Sequence, residues 1–462
     1  MRKRRLLWIS EHASPLATLG GADSGGQNVY VAQIARHLAA AGCEVDILTR
    51  RDHADLPSAV LSADGVRVVH VPAGPAAPVR KEDLLPHMKA FADYALAYVR
   101  RRRGAYDLVH ANFFMSALVA VEIKRATGIP FVVTFHALGR VRRMHQREAD
   151  AFPEQRLAVE DRAVAESDRI VAECPQDEQD LVSLYQADPR KIVTIPCGFD
   201  PAEFRPLDQA EARARLGLPR EGAIILQLGR MVPRKGIDNV IRGLARLRAT
   251  RGIEARLLVV GGEARTPDPV STPEIARLHG IACEEGVADA VTFVGSRGRQ
   301  ELCDYYNAAD VFVSTPWYEP FGITPLEAMA CGTPVIGSAV GGIKTTVLDG
   351  ETGFLVPPND PEALATRLGA ILDHPHRRWE LGQRAIRHVK ENYTWRLVAR
   401  SMRNMYEDMI WAMAEVQAGT GSGRSAPSFL APSLADATDR NGWHLGPNEG
   451  HAIVRRAVPW QS

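Results

Sequence analysis

The chain has 462 residues and a formal net charge of +1. That is long enough for two domains at about 100–200 residues each, and too evenly charged to point to nucleic acid as a partner. A hydrophobic share of 45% and a charged share of 24% suit an ordinary globular protein and exclude a disordered or fibrous one.

Six cysteines are scattered without a C-x-x-C pair or zinc-finger spacing, so they read as small apolar side chains in a reducing compartment. Residues 6–10, "LLWIS", are too short for a signal-peptide core. No apolar run approaches the ~20 residues of a membrane span. The expected location is the cytoplasm. Arginine runs at 2–5 and 100–103 read as solvated flanks, with peripheral contact to anionic lipid the less favoured reading.

In chain order, "LLWIS" (6–10), "EVDILT" (44–49), "VRVVHV" (66–71), "DLVHA" (107–111), "PFVVTFH" (130–136), "RIVAE" (169–173) and "KIVTIP" (191–196) read as strands. They are apolar nearly throughout, as in a sheet covered on both faces. Helical patterns lie between them. Over 28–41, Val31, Ile34, Leu38 and Ala41 share one face, and Gly42 stands where a left-handed C-terminal cap belongs. Alternating strands and helices predict parallel sheets with right-handed crossovers.

"PCGFDPAEFRPLDQ" (196–209), with three prolines and a glycine, reads as a linker. The alternation then restarts at 223–229, 255–262, 290–295, 309–315, 333–338 and 353–357. The expected organisation is a first domain over 1–198 and a second over 199–394. A helix over about 395–416 packs back on the first. A tail over 417–462 is too rich in Gly, Ser, Ala and Pro to bury a core.

Open α/β sheets bind ligands beyond the carboxyl ends of their strands, and four strand-to-helix loops are unusual. "GGADSGGQNVY" (20–30) offers Gly25 and Gly26 for close backbone approach at a helix N-terminus, which favours an anion by ~0.3–1 kcal/mol. "GRMVPRKG" (229–236) carries Arg230 and Lys235, a fork and a point charge suited to a diphosphate. "WYEPFGITPLE" (317–327) ends a strand and opens a helix just after Gly322, with Thr324 as the expected N-cap and Pro325 at the first helical position. Glu327 then lies in its first turn, able to accept the two hydroxyls of a ribose. Glu319 sits in the loop, where nothing structural asks for a charge. In "TFHALGRVRRMHQ" (134–146), His136 ends a strand and Arg140, Arg142, Arg143 and His145 follow. Lys81 and Arg156 come from elsewhere in the same half.

These motifs, with E-x7-E from Glu319 to Glu327 followed by "AMACGTPVI", resemble the family-four retaining glycosyltransferases of GT-B fold, in which two Rossmann-like domains face a cleft. The likeness covers the chain to about residue 415. "HASPLATLGGADSGGQNVYVAQIARHLA" (12–39) resembles the branch of sucrose-phosphate synthases and D-inositol-3-phosphate glycosyltransferases.

The resemblance implies a nucleotide-sugar donor, UDP favoured, and a small polar acceptor. It implies catalytic roles for His136, Arg230, Lys235 and Glu319. Donor contacts would come from Gly25, Gly26, Arg230, Lys235, Glu319, Phe321, Gly322, Glu327, Gly341 and Gly342. Acceptor contacts would come from Lys81, Phe113, Ala137, Arg140 and Arg156, with Lys81 and Arg156 matching basic positions used for a phosphate. Phe113 and Ala137 stand where the inositol-phosphate relatives carry tyrosine and threonine. Lys344 and Thr345 replace the more usual proline and glutamate after the paired glycines. Retention implies that the departing phosphate takes the acceptor proton. With no D-x-D sequence, no metal and no cofactor are expected.

Three other readings stay open. They are a sucrose-phosphate-synthase-like or lipid or polysaccharide transferase, a sugar-nucleotide epimerase on the same scaffold, and a non-catalytic sensor. A nicotinamide oxidoreductase is disfavoured because no strand leads into a full G-x-G-x-x-G loop.

Overall fold

A computed structural model describes residues 3–17, 25–102 and 106–417. The expectations placed on residues 2, 18–24 and 103, and on the tail beyond 417, lie outside the described residues. Met1–Ala414 form one compact unit. A second unit, Glu415–Ser462, is described only over 415–417, as the end of a helix.

Strands β1 (Arg5–Ile9), β2 (Glu44–Arg50), β3 (Ala59–Leu61), β4 (Arg67–Val71), β5 (Leu108–Asn112), β6 (Phe131–Thr134), β7 (Arg169–Ala172) and β8 (Ile192–Thr194) form one sheet in the order β3-β4-β2-β1-β5-β6-β7-β8. Strands β9 (Ala223–Leu228), β10 (Ala255–Val260), β11 (Val291–Gly295), β12 (Val311–Ser314), β13 (Val335–Ser338) and β14 (Gly353–Val356) form the second, ordered β11-β10-β9-β12-β13-β14. Every pairing is parallel except β3 with β4. Strand β3 is an addition to the sequence reading. It is three residues long with Leu61 64% exposed, so it lacks the buried apolar run that marks its neighbours. Gly65 (φ 82) turns the hairpin, with Ser62 N–H donating to Val66 O at 2.8 Å.

In each sheet the order reverses beside the first strand, at β1/β5 and at β9/β12. Such a switch point opens a crevice outside the carboxyl ends of the strands. Helices cover the sheet faces. The helix Gly26–Ala40 leads from β1 to β2 and ends where Gly42 takes φ 92, the left-handed cap expected there.

The chain crosses between the sheets twice, at Phe199 and at Thr394, and the two crossings pair as a parallel bridge. Phe199 N–H donates to Tyr393 O at 2.8 Å, and Trp395 N–H to Phe199 O at 3.1 Å. Gly198 allows this approach, because a Cβ there would lie 2.8 Å from Trp395 N and from Tyr393 O. The helix Trp395–Gln417 then lies on the first sheet. Its Tyr406 hydroxyl meets His110 Nδ1 in the core, its Glu407 takes Arg4 Nη2 at 2.9 Å, and Trp395 packs edge-on to Tyr30. Burial, with the neighbouring His136 adding to it, holds His110 down at about 3, so it stays neutral inside. One apolar cluster runs from Trp8 and Tyr30 through Phe199 and Phe204 to Leu226 and Phe312, joining the two sheets. Among the described residues no helix is long and apolar enough to cross a membrane.

Candidate active site

A cavity of about 430 Å³ opens at the carboxyl ends of both sheets. The loop after β1 brings Gly25 and Gly26, β5 leads to Phe113, β6 to His136, β9 to Arg230 and Lys235, and β12 to Glu319. Two of these are L-residues forced into positive φ, Phe113 at 87° and His136 at 58°. Such strain costs about 1–3 kcal/mol and persists where the surroundings over-determine it.

The His136 ring is over-determined in this way. Its Nδ1 lies 2.9 Å from Glu173 Oε1 and its Nε2 3.1 Å from Asn112 Oδ1. The Asn112 amide is itself oriented by its NH₂ donating to Ile9 O at 3.3 Å. Both ring nitrogens are thus hydrogen-bonded within the protein, and the ring also packs edge-on to Tyr30 at 4.7 Å.

On the second half, the turn after β9 places three cations around one carboxylate. Lys235 Nζ pairs with Glu319, and Arg234 Nη1 lies 3.5 Å from the same oxygen. Burial raises the Glu319 carboxyl, but Lys235, Arg234 and Arg230 outweigh it and hold it at about 2. Burial lowers Lys235 to about 8, with Arg234 and Arg230 adding to the fall and Glu319 opposing it. The cluster therefore keeps an excess of positive charge, as an anion site requires. Gly236 (φ 64) makes the turn possible, because a Cβ there would stand 2.0 Å from Thr315 O. That packing ties the β9 turn to the end of β12.

Glu327 belongs to the helix Ile323–Ala330, whose N-cap is Gly322 at φ 94. The helix starts where the sequence reading put it, but Thr324 and Pro325 lie inside the first turn. A glycine provides the left-handed entry that no Thr cap would. Glu327 is 2% exposed. Arg299 Nη1 donates to its Oε1 and the Tyr306 hydroxyl to its Oε2, each at 2.9 Å.

Gly341 and Gly342 do not line the cavity. They lie behind the Glu319–Gly322 loop: a Cβ on Gly341 (φ 46) would fall 1.7 Å from Glu319 O, and one on Gly342 2.5 Å from Phe321 O. The placement corrects the sequence reading of these two from ligand contact to support of the loop. Gly341→Ala is expected to cost about 1–3 kcal/mol, read as a lower thermal midpoint. An unchanged midpoint would contradict this packing.

The opposite wall carries Lys81, Phe113, Ala137, Arg142, Phe152 and Arg156. Arg156 is 1% exposed and lies 4.5–5.0 Å from the rings of Phe113, Phe114 and Phe152. Its Nε donates to Glu160 Oε1 at 2.7 Å, its Nη2 to Ala137 O, and its buried Nη1 has no partner among the described residues. Arg140 corrects the sequence reading in the other direction. It is absent from the cavity wall, because its guanidinium pairs with Asp161 and lies 4.4 Å over Tyr185. Helical spacing explains the difference: two positions on, Arg142 turns to the cavity and pairs with Asp150 at 2.6 Å.

Arg299 and Glu173 also line the cavity and escaped the sequence reading. Arg299 had a signal, since a cation at the first position of a helix opposes the macrodipole and asks for a reason. Glu173 follows β7 like any polar residue after a strand and had none.

A family model described as "Glycosyltransferase Family 4" matches residues 24–203, and one described as "Glycosyl transferases group 1" matches 208–388. The chain is 41% identical to the D-inositol 3-phosphate glycosyltransferase of Acidothermus cellulolyticus over 390 residues, covering 83% of this chain and 86% of that one. Its fold matches sucrose-phosphate synthase from Thermosynechococcus elongatus, with TM-score 0.81, 35% identity and coverage of 89% and 100%. It also matches Anabaena Alr3699/HepE in complex with UDP-glucose, with TM-score 0.69, 19% identity and coverage of 87% and 99%. Two parallel-sheet domains, both family models and a relative spanning most of the chain agree: this chain belongs to the family 4 glycosyltransferases and has the GT-B fold.

Proposed function

We propose that the enzyme transfers a hexosyl group from a UDP-sugar, with retention, to a small phosphorylated acceptor. The observation that carries this reading is a single cavity walled by cations from both halves. Arg230, Arg234 and Lys235 stand on the second half, Lys81, Arg142 and Arg156 on the first. One diphosphate needs the cations of only one half; those of the other suit a phosphate on the acceptor. Residues 199–394 would hold the donor and 1–198 the acceptor. Both cited relatives at 35–41% identity carry names that include a phosphorylated sugar or polyol. Phe113 and Ala137 present no hydroxyl at this wall, which favours an acceptor fixed more by its phosphate than by its ring hydroxyls.

In this reading Glu327 accepts from the ribose hydroxyls and Glu319 from hydroxyls of the transferred sugar. Arg230 and Lys235 take up the negative charge that develops on the diphosphate as the anomeric bond breaks. The departing phosphate oxygen accepts the acceptor's proton on the same face where the new bond forms, so no protein nucleophile is needed. With both ring nitrogens engaged, His136 serves as a fixed wall beside the sugar, held at its angle by Glu173 and Asn112.

The titration of Lys235 gives this reading a pH signature. Half of its charge is lost at about 8, so UDP affinity is expected to hold well below that pH and to begin its fall as that pH is approached. Above it, binding must take up a proton and affinity falls. Calorimetric titrations from pH 6.5 to 9.5 check this, and a flat profile would contradict it. A mass-spectrometric screen of nucleotide sugars against phosphorylated and free polyols and sugars tests the reaction itself. Transfer only to unphosphorylated acceptors, or no transfer at all, would overturn the reading.

A further inference from the structure

The cavity wall holds charged groups that the scheme above leaves without a task, Arg299 among them. Arg299 opens the helix Arg299–Ala308 and reaches two carboxylates at once. Its Nη1 donates to Glu327 Oε1 at 2.9 Å and its Nε donates to Glu203, while its buried Nη2 has no partner among the described residues. The guanidinium lies 4.8 Å over the Phe204 ring, so it is fixed in plane as well as at its ends. Tyr306, on the same helix, donates to the other Glu327 oxygen and packs edge-on to Phe204 at 5.7 Å.

Glu203 and Phe204 belong to the crossing between the two sheets, not to either sheet. That segment is anchored to the first half: Asp200 accepts from Arg36 Nη2 at 2.7 Å, Arg36 lies on the helix Gly26–Ala40, and Glu203 N–H donates to Asp200 O at 3.1 Å. An unbroken series of contacts therefore runs from the first-half helix, through the crossing, to Glu327.

We infer that Arg299 is the positioning residue that sets the Glu327 carboxylate for the ribose hydroxyls, and that Glu203 sets Arg299. The inference rests on the donor reading given above and names the residues that make its ribose contact selective. A carboxylate can accept two hydroxyls only if it is ionised and oriented. Burial pushes Glu327 toward its neutral form, and the Arg299 charge opposes that. One planar fork can space two carboxylates that would otherwise repel each other. A lysine, as a point charge, cannot span both.

The test is the affinity ratio of UDP to 2′,3′-dideoxy-UDP, measured by calorimetry on the full chain. Hydrogen bonds to a charged group predict a preference for UDP of at least about tenfold in the wild type. Glu327→Gln and Arg299→Gln are each expected to bring the ratio within about threefold of unity, and the double variant to show no further loss of preference. Glu203→Gln leaves Arg299 in place and is expected to reduce the ratio partway. If Arg299→Gln does not fold, Arg299→Lys carries the same test, with a reduced ratio expected.

A general structural role for Arg299 would weaken both nucleotides equally and leave the ratio intact. That result in a folded Arg299 variant, while Glu327→Gln loses the preference, would overturn the inference alone. A wild type that binds both nucleotides equally would overturn the donor reading beneath it.

Discussion

Lys235→Ala is expected to lower kcat by about 100- to 1,000-fold at saturating donor, the range seen when one group that stabilises developing charge is removed. Lys235 sits in the turn after β9 with its charge facing Glu319, and burial lowers its pKa to about 8. A cation in a poorly solvated site gains more from a new negative charge than one in water does. The gain is greatest when the diphosphate carries its full leaving-group charge. Loss of Lys235 therefore falls mainly on kcat, while Arg230 and Glu327 retain much of the ground-state grip. Lys235→Arg is expected to recover only part of the rate, because a planar fork in the space of a point charge displaces the Glu319 pair. A kcat within threefold of wild type in Lys235→Ala would exclude this residue from charge stabilisation.

Arg156→Ala is expected to produce two separable losses. The first is stability: Glu160 is 0% exposed and, among the described residues, would keep only the Tyr185 hydroxyl and Gly139 N–H as donors. Breaking a buried pair on one side costs about 3–5 kcal/mol, read as a lower denaturation midpoint without any substrate. The second is selectivity: Arg156 lines the cavity, and in the proposed reading its guanidinium donates to an acceptor phosphate. Its loss is expected to reduce the preference for a phosphorylated over a free acceptor by about 30- to 100-fold in kcat/KM. Arg156→Met with Glu160→Gln removes both charges together, so stability should largely return while selectivity stays lost. A folded double variant that still prefers the phosphorylated acceptor as strongly as wild type would sink the acceptor half of the account.

Most of the architecture was legible because buried parallel strands leave little freedom in composition. Runs such as 130–136 and 223–229 are apolar nearly throughout, and each proved to be a strand followed by a helix. Strand β3 was not legible as a strand, since an exposed three-residue edge buries too little to leave a pattern. Its "ADG" turn at 63–65 was the available signal.

The cavity wall was legible where strand ends lead into it, after β1, β5, β6, β9 and β12. It was less so where two residues compete for one direction. Arg140 and Arg142 are alike in sequence, and only the helix phase decides which of them reaches the cavity. The glycines at 341 and 342 read as ligand contacts because the family resemblance sets a second turn there near the donor. The group that approaches them closely is instead the backbone of the Glu319 loop. Arg299 could be flagged from its place at a helix start, but its partners needed three dimensions, because residues 203 and 327 lie far from it in sequence.

The central claim is that the cavity grips an activated sugar by its diphosphate, between the turn after β9 and the helix that carries Glu327. A crystal structure of the enzyme with UDP tests it most directly. The account predicts both phosphates against Arg230 and Lys235 and the ribose hydroxyls on Glu327. UDP bound elsewhere, or in this cavity with its phosphates turned away from those two cations, would contradict it.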